Sequence, residues 1–450
     1  MEEVLTPKLE TLAFRPRIGV RLDRPVTDGL LHEFPVRPAF PAANSPCVHQ
    51  VPWFRIDGHG ATTRLVAHPP HHTVPPNGLD GYGWVELPSS SLSDLDAAVD
   101  RLRAHPEVEL VWIEMPPAPS PADPDPATRV TDTAALDAEY QAGLDALHRA
   151  GAGRGVHLAI VERAWGPVAE KRFGVPGERG CHPATPWASH GNATVSIVKG
   201  TAQVPGIAPD ASVHLFSTLE LDGGVWVDRV PEALQRAVDR LSVEMPRGGG
   251  ILLIEMQQYL TRRQVFHLGT FDDTDCPGGR AALGPVEADP AVLSVILRAV
   301  ALGHTVVVPA GNGRIDRIEN AWTNDFSTVL GRLPRAALRV GASHRGQPTM
   351  MSNRGRWVDL YAPGHQVRAA EDDALTGLVR RDGTSVAAAI IAGTVACLQS
   401  AHLRTGAALD PVAMRNELLA VHGTGARALG LVPNGGGRRR IPRTRGPCPR

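Results

Sequence analysis

Cysteine is scarce in this chain. There are five among 450 residues, at Cys47, Cys181, Cys276, Cys397 and Cys448, an odd number without paired metal-ligand spacing. That argues against a disulfide-stapled secreted module and fits a reducing compartment. Excess charge of either sign is missing too. The 46 Lys and Arg stand against 47 Asp and Glu, a formal net charge of −1, so no nucleic-acid partner is expected. No run of about 18 apolar residues occurs. The longest, Val386 to Leu398, is interrupted by Gly393 and Thr394, which argues against a membrane span. The opening MEEVLTPKLETLAF carries acids where a signal peptide has its basic segment. These absences together predict a cytoplasmic protein. Apolar residues are not lacking. At 42% hydrophobic and 21% charged, the chain can bury a core, and its length suits two domains.

Residues 1–75 are rich in Pro, Arg and Gly with weak periodicity, and predict an irregular N-terminal extension. His68, His71 and His72 fall there among prolines and read as an exposed loop. From residue 76 to 115 a small α+β unit is expected. GWVEL reads as a strand, Leu92, Leu95, Val99 and Leu102 share one helical face, and VELVWIEM reads as a second strand. Residues 116–130, PPAPSPADPDP and its flanks, form a Pro-rich linker.

Over 131–425 the pattern becomes α/β. HLAIVE (157–162), VHLFS (213–217), ILLIEM (251–256), TVVVPAG (305–311), ALRVGA (337–342) and WVDLYA (357–362) read as buried strands. ALQRAVDRLS and PAVLSVILRAVALG, lying between them, have helical spacing. Such alternation predicts a doubly wound, mostly parallel sheet with its chemistry at the carboxyl ends of the strands. Residues 426–450, ending GGGRRRIPRTRGPCPR, read as a basic disordered tail.

Three segments carry reactive residues in a telling order. Glu162 ends a strand, His190 opens SHGNATVSIVKG, and Ser385 stands in DGTSVAAAIIAGTVACL. A serine at a helix N-terminus has free N–H groups beside it for a developing oxyanion. Histidine can take the serine proton near neutral pH, and a carboxylate can fix the imidazole tautomer. Asn312, after TVVVPAG, offers an amide to the same oxyanion. Acid, His, Ser is the chain order of the subtilisin-type triad.

The sequence resembles the subtilases, subtilisin-like serine peptidases, over roughly 140–422. HGNATVSIVKG, PGIAPDASVHLF, TVVVPAGNG, SNRGRWVDLYAPG and GTSVAAAIIAG are similar to family motifs and occur in the family's order. The resemblance implies a subtilisin-like α/β fold, an endopeptidase acting on protein or peptide substrates, and His190 and Ser385 as base and nucleophile. It makes the unit at 76–115 similar to the family's propeptide. Glu255, Met256, Gln257 and Gly311 fall where the family forms its substrate cleft. For Glu255, contact with substrate and a solvated strand end are equal expectations.

Three departures stand out. Glu162-Arg163-Ala164-Trp165 replaces the usual Asp-x-Gly, as in a bacterial branch of the family with Glu-x-x-Trp. Asn192-Ala193 follows the histidine, and Ala389 stands where proline is usual. No cofactor or metal is expected to be required. Calcium is frequent in the family, and FDDTDCPGG (271–279) is the candidate segment for it. The competing expectations are an inactive subtilase-fold interaction protein and an esterase or transacylase. An activating protein partner is left open.

Overall fold

The computed structural model describes residues 17–22, 36–38, 54–56, 63–65, 82–85, 92–105, 108–114, 138–174, 188–203, 205–222, 225–260, 282–313, 333–344, 346–370, 372–420 and 432–433. The linker 116–130, the histidines at 68, 71 and 72, the segment 271–279 and most of the tail lie outside these residues.

The N-terminal unit contains β1 (Arg17–Leu22), β2 (Val36–Pro38), β3 (Tyr82–Val85), α1 (Leu92–Arg103) and β4 (Val108–Glu114). Its strands form an antiparallel sheet in the order β2-β3-β1-β4. The expectation of an irregular extension over 1–75 is corrected here, because β1 lies between β3 and β4 and pairs with both. Ile18 and Val20 are buried on it. RIGVRL alternates apolar and other residues with period 2, as a half-buried strand does. Its Pro- and Arg-rich surroundings hide that signal.

The larger unit runs through α2 (Ala138–Ala150), β5 (His157–Glu162), α3 (Ala188–Lys199), β6 (Ser212–Ser217), α4 (Val230–Glu244), β7 (Ile251–Ile254), β8 (Gln257–Leu260) and β9 (Ala282–Pro285). It continues with α5 (Pro290–Ala301), β10 (Thr305–Pro309), β11 (Leu338–His344), β12 (Leu360–Pro363), β13 (Val367–Ala370) and β14 (Leu378–Arg381). It closes with α6 (Thr384–Thr405), α7 (Pro411–Ala420) and β15 (Val432–Pro433). Among the described residues the main sheet has the order β15-β12-β11-β10-β7-β5-β6. All pairings from β12 to β6 are parallel, and β15 adds an antiparallel edge. Each of the six apolar runs read from the sequence supplies one of those parallel strands.

Side chains alternate across this sheet as its pleat requires. Leu158, Ile160, Ile251, Leu253 and Val307 join one core with residues of α2, α3 and α6. Ala159, Val161, Leu252, Ile254, Val306 and Val308 join the opposite core with α4 and α5. Helix α6 is 22 residues long and apolar enough by composition to cross a membrane. Its most apolar window is 78% buried inside the protein, and its alanines let it lie against the sheet as a core helix. Ala389, one of the three departures, is fully buried within it.

The two units share one apolar layer. Tyr82, Trp84 and Trp112 belong to the same cluster as α4 and α5. Trp112 Nε1 donates to Asp289 Oδ2 at 2.9 Å. The other oxygen of Asp289 caps α5 by accepting from the Ala291 and Val292 N–H groups. Replacing Trp112 by Phe keeps the ring contact and removes the donor to a buried carboxylate. The variant should lose about 1–3 kcal/mol of stability. An unfolding midpoint in urea equal to that of the parent would show that this contact contributes nothing.

Candidate active site

The parallel strands end on one edge, and the loops beyond them bring the predicted residues together. Glu162 is the last residue of β5 and is buried. Its Oε1 accepts the Arg163 N–H at 2.7 Å, and its Oε2 is hydrogen-bonded to His190 Nδ1. His190 lies in the first turn of α3, with Nε2 3.0 Å from Ser385 Oγ. Ser385 is the second residue of α6. The hydrogen bonds therefore run from Glu162 through the imidazole to the hydroxyl.

Close approach of α3 to the β5 loop depends on Gly191. A Cβ there would lie 2.2 Å from Ala164 O and 2.9 Å from the Trp165 ring. Asn192, the second departure, fastens the same contact. Its Oδ1 accepts the Gly166 N–H at 2.9 Å and its Nδ2 donates to Asp372 O at 3.2 Å. It therefore ties two loops together from a fully buried position.

Beside Ser385, Gly383 has φ +146°, a conformation that side-chain-bearing residues rarely adopt. A Cβ at this position would lie 3.2 Å from Ser385 Oγ, 3.6 Å from Asn312 Nδ2 and 3.8 Å from Ser385 N. The missing side chain leaves a space bordered by one hydroxyl and two nitrogens. Asn312 is held with its amide facing that space. Its Oδ1 accepts from Thr384 N at 3.0 Å and from Thr384 Oγ1 at 3.1 Å, leaving Nδ2 toward the space over Gly383.

Further groups hold the Asn312 loop. The Gly311 N–H donates to Thr384 Oγ1 at 3.2 Å, and the Asn312 N–H donates to Gln257 Oε1 at 2.9 Å. Asn353 Nδ2 donates to Ala310 O and Leu283 O, while its own N–H donates to Gly311 O. Sequence inspection did not single out Thr384 or Asn353 for this work. Each stands inside a motif, GTSVA or SNRG, and that adjacency was the available signal.

The structure places each of the four residues expected at a substrate cleft. Gln257 is buried with its amide on the Asn312 backbone. Met256 packs in the apolar cluster with α4 and α5. Gly311 serves the loop through its backbone. Glu255 is only 4% exposed, which overturns the solvated strand end, one of the two expectations for it. Its N–H donates to Val161 O, so the neighbouring strand holds it inside. Burial pushes its carboxyl well above the usual carboxylate range, and the charge of Glu162 pushes the same way.

Elsewhere, His157, His214 and Glu244 cluster at the far end of the sheet. The two imidazoles are hydrogen-bonded, Nδ1 to Nε2, at 2.9 Å. Burial lowers both, His214 to about 4, and Arg240 pairs with Glu244 at 2.5 Å. With an arginine already on its carboxylate, this group is a half-buried hydrogen-bonded cluster. Cys397 is a free thiol in α6, and burial pushes it up to about 12, as suits an inert core residue.

Comparison with known proteins bears on residues 172–421, which match the profile of the Peptidase S8 subtilase family. A subtilisin-like protease of Coccidioides posadasii (strain C735) is 34% identical over 133 residues, 29% of this chain. The match spans less than a third of that relative, 30% of its length. Among solved structures, the MycP3 protease from the type VII (ESX-3) secretion system is 19% identical with a TM-score of 0.47. It covers 68% of this chain and 87% of its own. The prenylagaramide maturation protease PagA is 20% identical with a TM-score of 0.43, covering 64% of this chain and 94% of its own.

The strand end that carries Glu162 is braced by a buried ion pair. Arg163 Nε lies 3.0 Å from Asp228 Oδ2, with side-chain exposures of 4% and 3%. Burial raises the Asp228 carboxyl, and Arg163 offsets part of that rise. Arg163→Ala would strand the carboxylate in the core and should cost about 3–5 kcal/mol. Thermal unfolding near neutral pH measures this, and a loss below about 1 kcal/mol, typical of an exposed pair, would contradict it.

Proposed function

The chain belongs to the subtilase family, and from that premise we propose that it is a cytoplasmic serine endopeptidase using Glu162, His190 and Ser385. One observation carries the reading. Ser385 Oγ lies 3.0 Å from His190 Nε2 and borders the same space over Gly383 as Asn312 Nδ2 and Ser385 N. A nucleophile, a base and two oxyanion donors thus meet where one carbonyl group fits.

In this account Ser385 Oγ attacks the scissile carbonyl carbon as its proton passes to His190 Nε2. Glu162 accepts the Nδ1–H, fixes the tautomer and stabilises the imidazolium that forms. The oxyanion is held by Asn312 Nδ2 and the Ser385 N–H. His190 then gives its proton to the leaving amine, and water repeats the sequence to release the acyl group. Protein or peptide is the substrate class. A cytoplasmic location is supported by the sparse cysteines and the free, buried Cys397. The N-terminal unit is read as propeptide-like, supported by its packing on α4 and α5.

The test is intact-protein mass after treatment with a fluorophosphonate. One adduct on the parent and none on Ser385→Ala is expected. A folded parent that takes no adduct would favour an inactive scaffold. Asn312→Ala should still label, while its peptide turnover falls by about 10²–10³, the usual cost of one oxyanion donor. Equal turnover in the two proteins would remove Asn312 from the mechanism.

A further inference from the structure

Glu255 is a buried acid for which the mechanism above has no use. It follows β7 directly, as Glu162 ends β5, and the two strands are parallel neighbours in register from Ile251 and Leu158 to Ile254 and Val161. The side chains of Glu162, His190 and Glu255 come together, with one ligand atom from each within 4.8 Å of the others. All three are buried. Glu162 uses its oxygens on Arg163 N and His190. Neither oxygen of Glu255 makes a hydrogen bond of ordinary geometry. The Thr194 hydroxyl beside it is committed to His190 O. A buried carboxyl so weakly bonded beside the acid of a triad requires a physical reason.

We propose that Glu255 is a positioning residue that holds one proton jointly with Glu162, so that the acid arm behind His190 is a carboxyl pair of single negative charge. This rests on the reading of Glu162 and His190 given above. Two ionised carboxylates so close, with little water, repel each other strongly, and one of them keeps its proton. Burial is the larger cause at Glu255 and the Glu162 charge the second. The Thr194 hydroxyl, which donates to His190 O, offsets them only in part. Titratable groups gathered with it are Glu162 on β5 and His190 on α3. Behind Glu162 lies the Arg163–Asp228 pair, which is neutral as a unit. The proton stays on the two carboxyls, and no bond to substrate forms at Glu255.

The pair predicts how the site responds to pH. While Glu255 keeps the proton, His190 faces one negative charge. When that proton leaves on the alkaline side, His190 faces two, and its imidazole environment changes a second time. Stability follows the same ionisation. The folded chain holds a proton that the unfolded chain has released above the ordinary glutamate range, so stability falls as pH rises until Glu255 ionises.

The experiment is an NMR titration of the His190 ring in the full chain, from about pH 4 to about pH 11, the span of carboxyl and imidazole ionisation in proteins. The second-order rate of fluorophosphonate labelling is followed over the same range. The parent should show two steps, the His190 ionisation and a more alkaline one. Glu255→Gln, fixed neutral at the same shape, should lose the alkaline step from both readouts and keep the first nearly in place. Glu255→Asp keeps a carboxyl and should keep a displaced second step. Two results would overturn the proposal. One is a Glu255→Gln titration superimposable on the parent's. The other is an acid step displaced by about a pH unit or more, which would mean that Glu255 is already charged there. A parent that never labels would sink the peptidase reading, while the ring titration would still decide the carboxyl pair.

Discussion

The hydrogen bond between Glu162 and His190 joins the sheet to the helical layer that carries the rest of the site. Glu162 arrives on a strand bonded on both sides, to β6 and to β7, so its backbone has no freedom to retreat. His190 arrives on a helix drawn against the β5 loop by the absence of a side chain at Gly191. A glutamate is one methylene longer than an aspartate, and its reach matters because the sheet does not move. With the acid placed by the strand and the imidazole by the helix, the Nε2 to Oγ distance follows from the packing of α3 on α6.

The oxyanion side is built by different means. Asn312 follows β10, and its orientation comes from hydrogen bonds rather than from packing. Thr384 serves twice, accepting from the Gly311 N–H and donating to Asn312 Oδ1. Gln257 and Asn353 satisfy the remaining loop groups from two other elements. Such a network is costly to leave half made, because each buried polar atom without its partner forfeits its hydration. The arrangement therefore fixes the amide before any substrate binds, as electrostatic stabilisation of a developing charge requires.

Much of this was legible in the sequence. Buried parallel strands read as unbroken apolar runs, so HLAIVE, ILLIEM and TVVVPAG identified themselves. Glu162, His190, Asn312 and Ser385 lie at strand ends or helix starts, where local pattern and motif order agree. Other features depend on partners distant in the chain. Gln257 and Asn312 are 55 residues apart, and Thr384 and Asn312 are 72 apart, so no local pattern announces their contacts. Strand β1 is legible only once β3 and β4 flank it. The burial of Glu255 comes from the strand beside it, and a residue at the end of an apolar run carries no sign of that.

The central claim is that Glu162 is the acid that holds His190. Proton NMR of the full-length protein at low temperature tests it most directly, through the Nδ1–H resonance of His190. A charge-assisted bond to a buried carboxylate shifts such a proton far downfield. The account predicts a downfield resonance that His190→Ala abolishes and that moves sharply upfield in folded Glu162→Gln. A resonance unchanged in Glu162→Gln would contradict it and assign the imidazole to another partner.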